Sequence, residues 1–110
     1  MSKQQEKEII FGHWNSKGIV VHKRITTDIS NALDKALRNY TAEEVMALID
    51  FYATILEPKT PDHEKKYFWT YRWGLWEFLN RGLKKFDGQD LKNYLRKQSA
   101  ATPEAVVLKR

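Results

Sequence analysis

The stretch YFWTYRWGLWEFL, Tyr67 to Leu79, sets seven aromatic rings into thirteen residues. Read at the helical period, it predicts a helix over about 70–81. Leu75, Phe78 and Leu79 then share one face, with Tyr71 above Leu75 and Phe78. Trp69, Trp73 and Trp76 fall at i, i+4 and i+7, a second stripe beside the first. A helix apolar over two adjoining stripes packs from two sides, so the pattern predicts a central helix. Cations surround the same rings: Lys65, Lys66, Arg72, Arg81, Lys84 and Lys85. Flat rings for stacking and cations along a backbone are what single-stranded nucleic acid requires. Trp, Tyr and Arg also dominate protein-binding hot spots, and composition alone leaves both open.

The charge pattern agrees with that focus. Residues 1–63 carry eight Lys/Arg against nine Asp/Glu, and residues 64–97 carry nine against four. The net charge of +5 therefore sits in the aromatic half. A basic field suits phosphate backbones and acidic protein surfaces alike. A chain of 110 residues predicts one domain. At that length it buries roughly two thirds of its extended surface, so a few large rings dominate the core. The absence of cysteine excludes disulfides and thiol chemistry. No apolar run reaches the ~20 residues of a membrane span, and MSKQQEKE at the start lacks the apolar core of a signal peptide. These features predict a soluble, cytoplasmic protein.

Upstream, the periodicity predicts three helices. Ile9, Ile10, His13 and Trp14 mark one over about 4–17, with Gly18 as its stop. IVVHKRI, 19–25, is a connector of extended character without a visible partner strand. Ile29, Leu33, Ala36 and Leu37 mark a second helix over about 27–39, opened by Thr27 or Asp28 as cap and closed at Tyr40. Thr41 and Glu44 have capping-box spacing. Val45, Leu48, Ile49, Tyr52, Ile55 and Leu56 follow at the helical period, and Pro58 ends the third helix. Downstream of the aromatic stretch, Gly82 is expected to break the helix, and a short helix is expected over about 88–97. Residues 1–97 form the expected single domain, with 98–110 as a flexible tail. The fold class is thus all-α, a small bundle of four to five helices.

Signals for catalysis are weak. His13, His22 and His63 lie on separate segments without metal-ligand spacing, and HEKK lacks the second histidine of HExxH. No glycine-rich phosphate loop is present, and Ser16 has no evident base partner. Glu43, Glu44 and Glu77 read as cap and surface carboxylates. We expect no enzyme activity, no metal and no cofactor.

Three segments appear in an order that resembles a known group: HWNSKGIVVHKRIT, ALRNYTAEEVMALIDFYATIL and YFWTYRWGLWEFLNRGLKKF. The chain resembles the C-terminal domain of phage replisome-organiser and DnaD-like replication proteins of Gram-positive phages and prophages. The likeness covers about residues 9–86. Trp14, Asn15 and Gly18 match a tryptophan segment ending in glycine, and His22 matches the histidine of the connector. Tyr40 and Glu44 match the following helix start. Tyr71, Trp73, Leu75, Phe78, Leu79, Arg81 and Phe86 match the aromatic helix and its ending. Members of the group often carry this domain behind a winged-helix region, for which this chain has no room. The resemblance therefore implies an accessory module rather than an origin-recognition protein. It also assigns Trp73, Leu75, Phe78 and Leu79 to the core, and leaves Tyr67, Trp69 and Trp76 partly exposed.

Two functions are expected from these readings. The first is a replication-associated accessory protein that binds DNA, single- or double-stranded, non-specifically. Lys65, Lys66, Arg72, Arg81, Lys84 and Lys85 would contact phosphates, and Trp69 and Trp76 would stack. The second is a protein-interaction module, inhibitor or adaptor, that docks on a helicase, a helicase loader or another host factor without touching nucleic acid. An exposed tryptophan patch would equally serve a homodimer contact.

Overall fold

Ser2 opens the first helix through a capping box. Its hydroxyl accepts from the Gln5 N–H, and the Gln5 side chain accepts from the Ser2 N–H. The computed structural model describes residues 2–95, so the expected tail at 98–110 lies outside the described residues. Helix α1 spans Lys3–Ser16, and the chain leaves it through Gly18 in the left-handed region, φ 71°. Helix α2 spans Thr27–Asn39. Its cap is Thr26, whose hydroxyl accepts from the Ile29 N–H at 3.3 Å, rather than Thr27 or Asp28. Helix α3 spans Ala42–Leu56 behind the expected Thr41–Glu44 capping box. It ends at Glu57, also left-handed at φ 46°, just before Pro58.

Side chains tie these three helices together. Lys7 of α1 donates to Ser30 at 2.8 Å and pairs with Asp34 at 3.2 Å, both on α2. His13 Nε2 and Lys17 Nζ each lie 2.7 Å from the same Asp50 oxygen on α3. The connector expected to be extended has no strand partner and bends at Ile19–Val20 and again at Lys23–Arg24, and Asn15 of α1 holds it in place. The Asn15 amide accepts from the His22 N–H and donates to the His22 carbonyl, both at 3.0 Å. Trp14 Nε1 donates to the Val20 carbonyl at 2.8 Å.

The aromatic stretch departs from expectation. The helix expected over 70–81 begins only at Leu75, with Gly74 as its cap. Residues 67–73 are extended instead, pinned by a single antiparallel bridge between Tyr67 and Leu95. The Trp69–Trp73–Trp76 stripe therefore does not exist as a helical stripe, and Tyr71 does not sit above Leu75. Aromatic residues suit extended backbone better than helix, and the side chains alternate over 67–70, after which Tyr71 and Arg72 are both exposed. Tyr67, Trp69 and Trp73 turn inward, whereas Phe68, Thr70 and Arg72 are exposed.

From Leu75 the chain is helical to Phe86. An α-turn at Leu75–Glu77, a π-helical segment at Phe78–Gly82 and an α-helical segment at Leu83–Phe86 run on without a break, and we call the three α4. The Leu83 N–H reaches back five residues to the Phe78 carbonyl, which defines the π turn. Gly82 does not break the helix. It lies buried inside it, against the Phe78 ring. The short helix expected over 88–97 is a 3-10 turn, Leu91–Tyr94. The fold is all-α, with four helices around one aromatic core among the described residues.

Tyr52 of α3 is the hub of that core. Its ring stacks on Trp14 at 6.0 Å, Phe78 at 5.3 Å and Phe86 at 5.6 Å between centroids. Trp73, Leu75, Phe78 and Leu79 are all buried, as expected, while Leu48 is only half-buried.

Gly82 supplies a test of this packing. A Cβ there would lie 2.6 Å from Phe78 Cδ1 and 3.1 Å from Trp73 Cζ3, both on buried rings. In an ordinary helix Gly→Ala stabilises by roughly 1 kcal/mol. Here Gly82→Ala should instead destabilise by about 1–3 kcal/mol, because the rings must shift. Thermal melting followed by circular dichroism reads the sign, at about 4–8 °C per kcal/mol for a domain of this size. A raised melting temperature would show that the contact is misplaced.

Candidate nucleic-acid interface

The extended segment consumes several of the residues expected to bind a partner. Lys65 is buried, and its ammonium donates to the Trp69 carbonyl, so it is a backbone staple and not a phosphate ligand. Arg72 is exposed but committed. Its guanidinium donates to the Ile19 carbonyl at 3.2 Å and the Pro58 carbonyl at 3.1 Å, tying the connector to the end of α3. Trp69 is half-buried, and its indole N–H donates to the Tyr71 carbonyl at 2.7 Å. Its ring meets Tyr52, Trp73, Phe86 and Tyr94 edge-on, and Lys85 Nζ lies 5.4 Å from the ring centroid. Trp69 is therefore no open stacking platform. Lys66 is exposed, on the segment whose N–H groups at Lys66 and Tyr67 donate to Glu57.

Trp76, Arg81 and Lys84 remain exposed on α4. Trp76 is 47% exposed, against 6% for Trp73. The Asn80 amide donates to the Trp76 carbonyl at 2.8 Å, one turn along the same stripe.

Helix α2 completes this surface. At one end, the Leu75 N–H that starts α4 donates to His22 Nε2 at 3.2 Å, close before the start of α2. At the other end, the Tyr40 hydroxyl that follows α2 lies 3.4 Å from Asp87, just past α4. The two helices therefore run side by side in the same direction, for about 20 Å at 1.5 Å per residue. Lys35, Asn39 and Tyr40 line one wall of the groove between them, and Asn80 and Lys84 line the other. Asp34, the acidic neighbour of Lys35, is paired with Lys7 of α1. Near the shared N-terminal end, His22, Lys23, Arg24 and Thr26 line an open depression of about 550 Å³.

The structure thus joins Lys84 and Trp76 to Lys23, Arg24 and Lys35, which the sequence reading did not single out. Their charges lie in the near-neutral half of the chain, and only the parallel packing of α2 and α4 brings them to the basic half. No cluster of three or more His, Asp or Glu suited to a metal occurs among the described residues. Among the same residues no helix is long and apolar enough to cross a membrane. Comparison with protein-family models, with curated proteins and with solved structures found no match.

This division of the rings makes a measurable difference. Trp69→Ala should cost about 2 kcal/mol or more of stability, since it opens a gap beside four packed rings. Trp76→Ala should leave the melting temperature nearly unchanged and remove most of the iodide-quenchable tryptophan fluorescence. Equal quenching before and after the loss of Trp76 would place the exposed ring elsewhere.

Proposed function

We propose that this chain is a small accessory protein of phage or prophage replication that binds nucleic acid non-specifically through the α2–α4 face. The observation that carries the reading is the groove itself. Lys35 on α2 and Lys84 on α4 both line it, with Asn39 and Asn80, over the apolar side chains of Ala36, Leu79 and Leu83. An exposed indole, Trp76, stands one turn from Asn80 on the same helix. Cations spaced along a groove track a phosphate backbone, and an exposed ring stacks a base without reading its identity. Nothing in this arrangement offers a base-reading element, which suits sequence-tolerant binding. The replication setting rests on the resemblance of the three ordered segments to phage replication proteins.

A second reading has its own observation. Phe68 and Tyr71, 51% and 59% exposed, stand on the outer side of the extended segment, each with one edge against a core ring, Tyr94 and Trp73 respectively. Aromatic residues so displayed suit a protein contact. Docking on a helicase, a loader or another host protein is the function they favour.

Salt titration separates the two. Fluorescence anisotropy with a labelled oligonucleotide should give a linear log–log dependence of affinity on salt. Lys35→Ala and Lys84→Ala should each flatten the slope by about 0.7–0.9. Trp76→Ala should weaken binding to a single strand by roughly 1–3 kcal/mol at constant slope. Absence of binding at low salt would sink the nucleic-acid reading and leave docking through Phe68 and Tyr71.

A further inference from the structure

The depression at the N-terminal end of the α2–α4 face has a chemistry of its own. Among the described residues, His22, Lys23, Arg24 and Thr26 line it. Each is fixed or equipped as a donor. His22 is held from both sides of its backbone by the Asn15 amide, at 3.0 Å each. Its Nε2 accepts from the Leu75 N–H at 3.2 Å. An imidazole that accepts at Nε2 is neutral and carries its proton on Nδ1, so the second ring nitrogen is a donor. No hydrogen bond from that nitrogen to another described residue is formed. Lys23 and Arg24 are exposed cations, and neither forms an ion pair with a carboxylate among the described residues. Thr26 Oγ1 accepts from the Ile29 N–H, which leaves its O–H free to donate outward.

Two cations and two neutral donors around one opening, with no carboxylate among the described residues that line it, match a group rich in acceptor oxygens and doubly charged. We propose that this depression binds a phosphate monoester, the terminal phosphate of a single nucleic-acid strand. The proposal rests on the reading of the α2–α4 face as a nucleic-acid surface, and it gives that surface a polarity. The strand end sits among His22, Lys23, Arg24 and Thr26, and the following nucleotides run along the groove past Lys35 and Lys84. An internal phosphodiester carries one charge and two free oxygens. A terminal monoester carries up to two charges and three, so the same donors discriminate in its favour.

The test uses the full chain and three oligonucleotides of one sequence, each with an internal fluorescent thymidine. One carries a 5′-phosphate, one a 3′-phosphate and one neither. The terminal phosphate at one end, and not the other, should tighten binding about tenfold. Which end does so fixes the strand direction. Lys23→Gln combined with Arg24→Gln should erase that advantage, so that the phosphorylated and unphosphorylated strands bind the variant with the same affinity. Lys35→Ala and Lys84→Ala should weaken all three strands alike. Equal affinity for the three strands overturns the monoester pocket and leaves the groove reading standing. A phosphate advantage that survives Lys23→Gln combined with Arg24→Gln overturns the pocket too. Failure of all three strands to bind at low salt overturns both.

Discussion

The hydroxyl of Tyr52 accepts a hydrogen bond from the Trp73 N–H and donates one to the Tyr71 carbonyl, each at 2.7 Å. Those two bonds make an extended segment possible inside a helical protein. A helix satisfies its own backbone, whereas a lone extended chain against a core leaves polar groups that cost about 1–3 kcal/mol each when buried and unpaired. Here one phenol serves two of them. Burial pushes the hydroxyl above its ordinary pKa of 10.0, so it keeps the proton it donates. The Trp69 indole and the Lys65 ammonium meet the Tyr71 and Trp69 carbonyls from the other side. The rings that make the segment apolar thus also provide the means of burying it.

The consequences reach the binding face. Because residues 67–73 stay extended, α4 starts at Gly74 and not earlier, and its first N–H is met by His22 from the connector. That contact draws the connector and the start of α2 to the start of α4. At the far end Tyr40 meets Asp87, and the two helices are held parallel. Lys35 and Lys84 then come to line one groove. The π turn at Phe78–Gly82, with Gly82 buried against Phe78, lets the helix keep the Phe78 and Phe86 rings on Tyr52. The aromatic segment is scaffold: it sets where α4 starts and with it the groove between α2 and α4.

Much of this was legible in the sequence, and the misreadings have physical causes. Helices α1 to α3 announce themselves through their period, and at α3 the cap agrees with it, at Thr41 and Glu44. The burial of Trp73, Leu75, Phe78 and Leu79 was also readable, since large apolar residues on either backbone geometry seek the core. The backbone of 67–73 was misread because Trp69, Trp73 and Trp76 also fit helical spacing. The stronger signal was the density of aromatic residues over 67–73, which favours extended backbone, closed by Gly74. Lys65 and Arg72 looked like surface cations because sequence does not show that a carbonyl needs a donor. Lys23, Arg24 and Lys35 were passed over because they lie in a near-neutral half of the chain. The packing of α2 against α4, tied at Leu75–His22 and at Tyr40–Asp87, brings them towards Lys84.

The claim on which the rest turns is that Tyr52 fixes the extended segment through the Trp73 amide. Amide hydrogen exchange, resolved to single residues in the wild type and in Tyr52→Phe, tests it most directly. Phenylalanine keeps the stacked ring and removes only the hydroxyl. The Trp73 N–H should be protected in the wild type to nearly the level of global unfolding. In Tyr52→Phe it should exchange far faster than the global loss of stability accounts for, while amides in the middle of α3 follow the global value. A Trp73 amide that exchanges at the rate of an open loop in the wild type, or that is unmoved by the loss of the hydroxyl, would contradict the account.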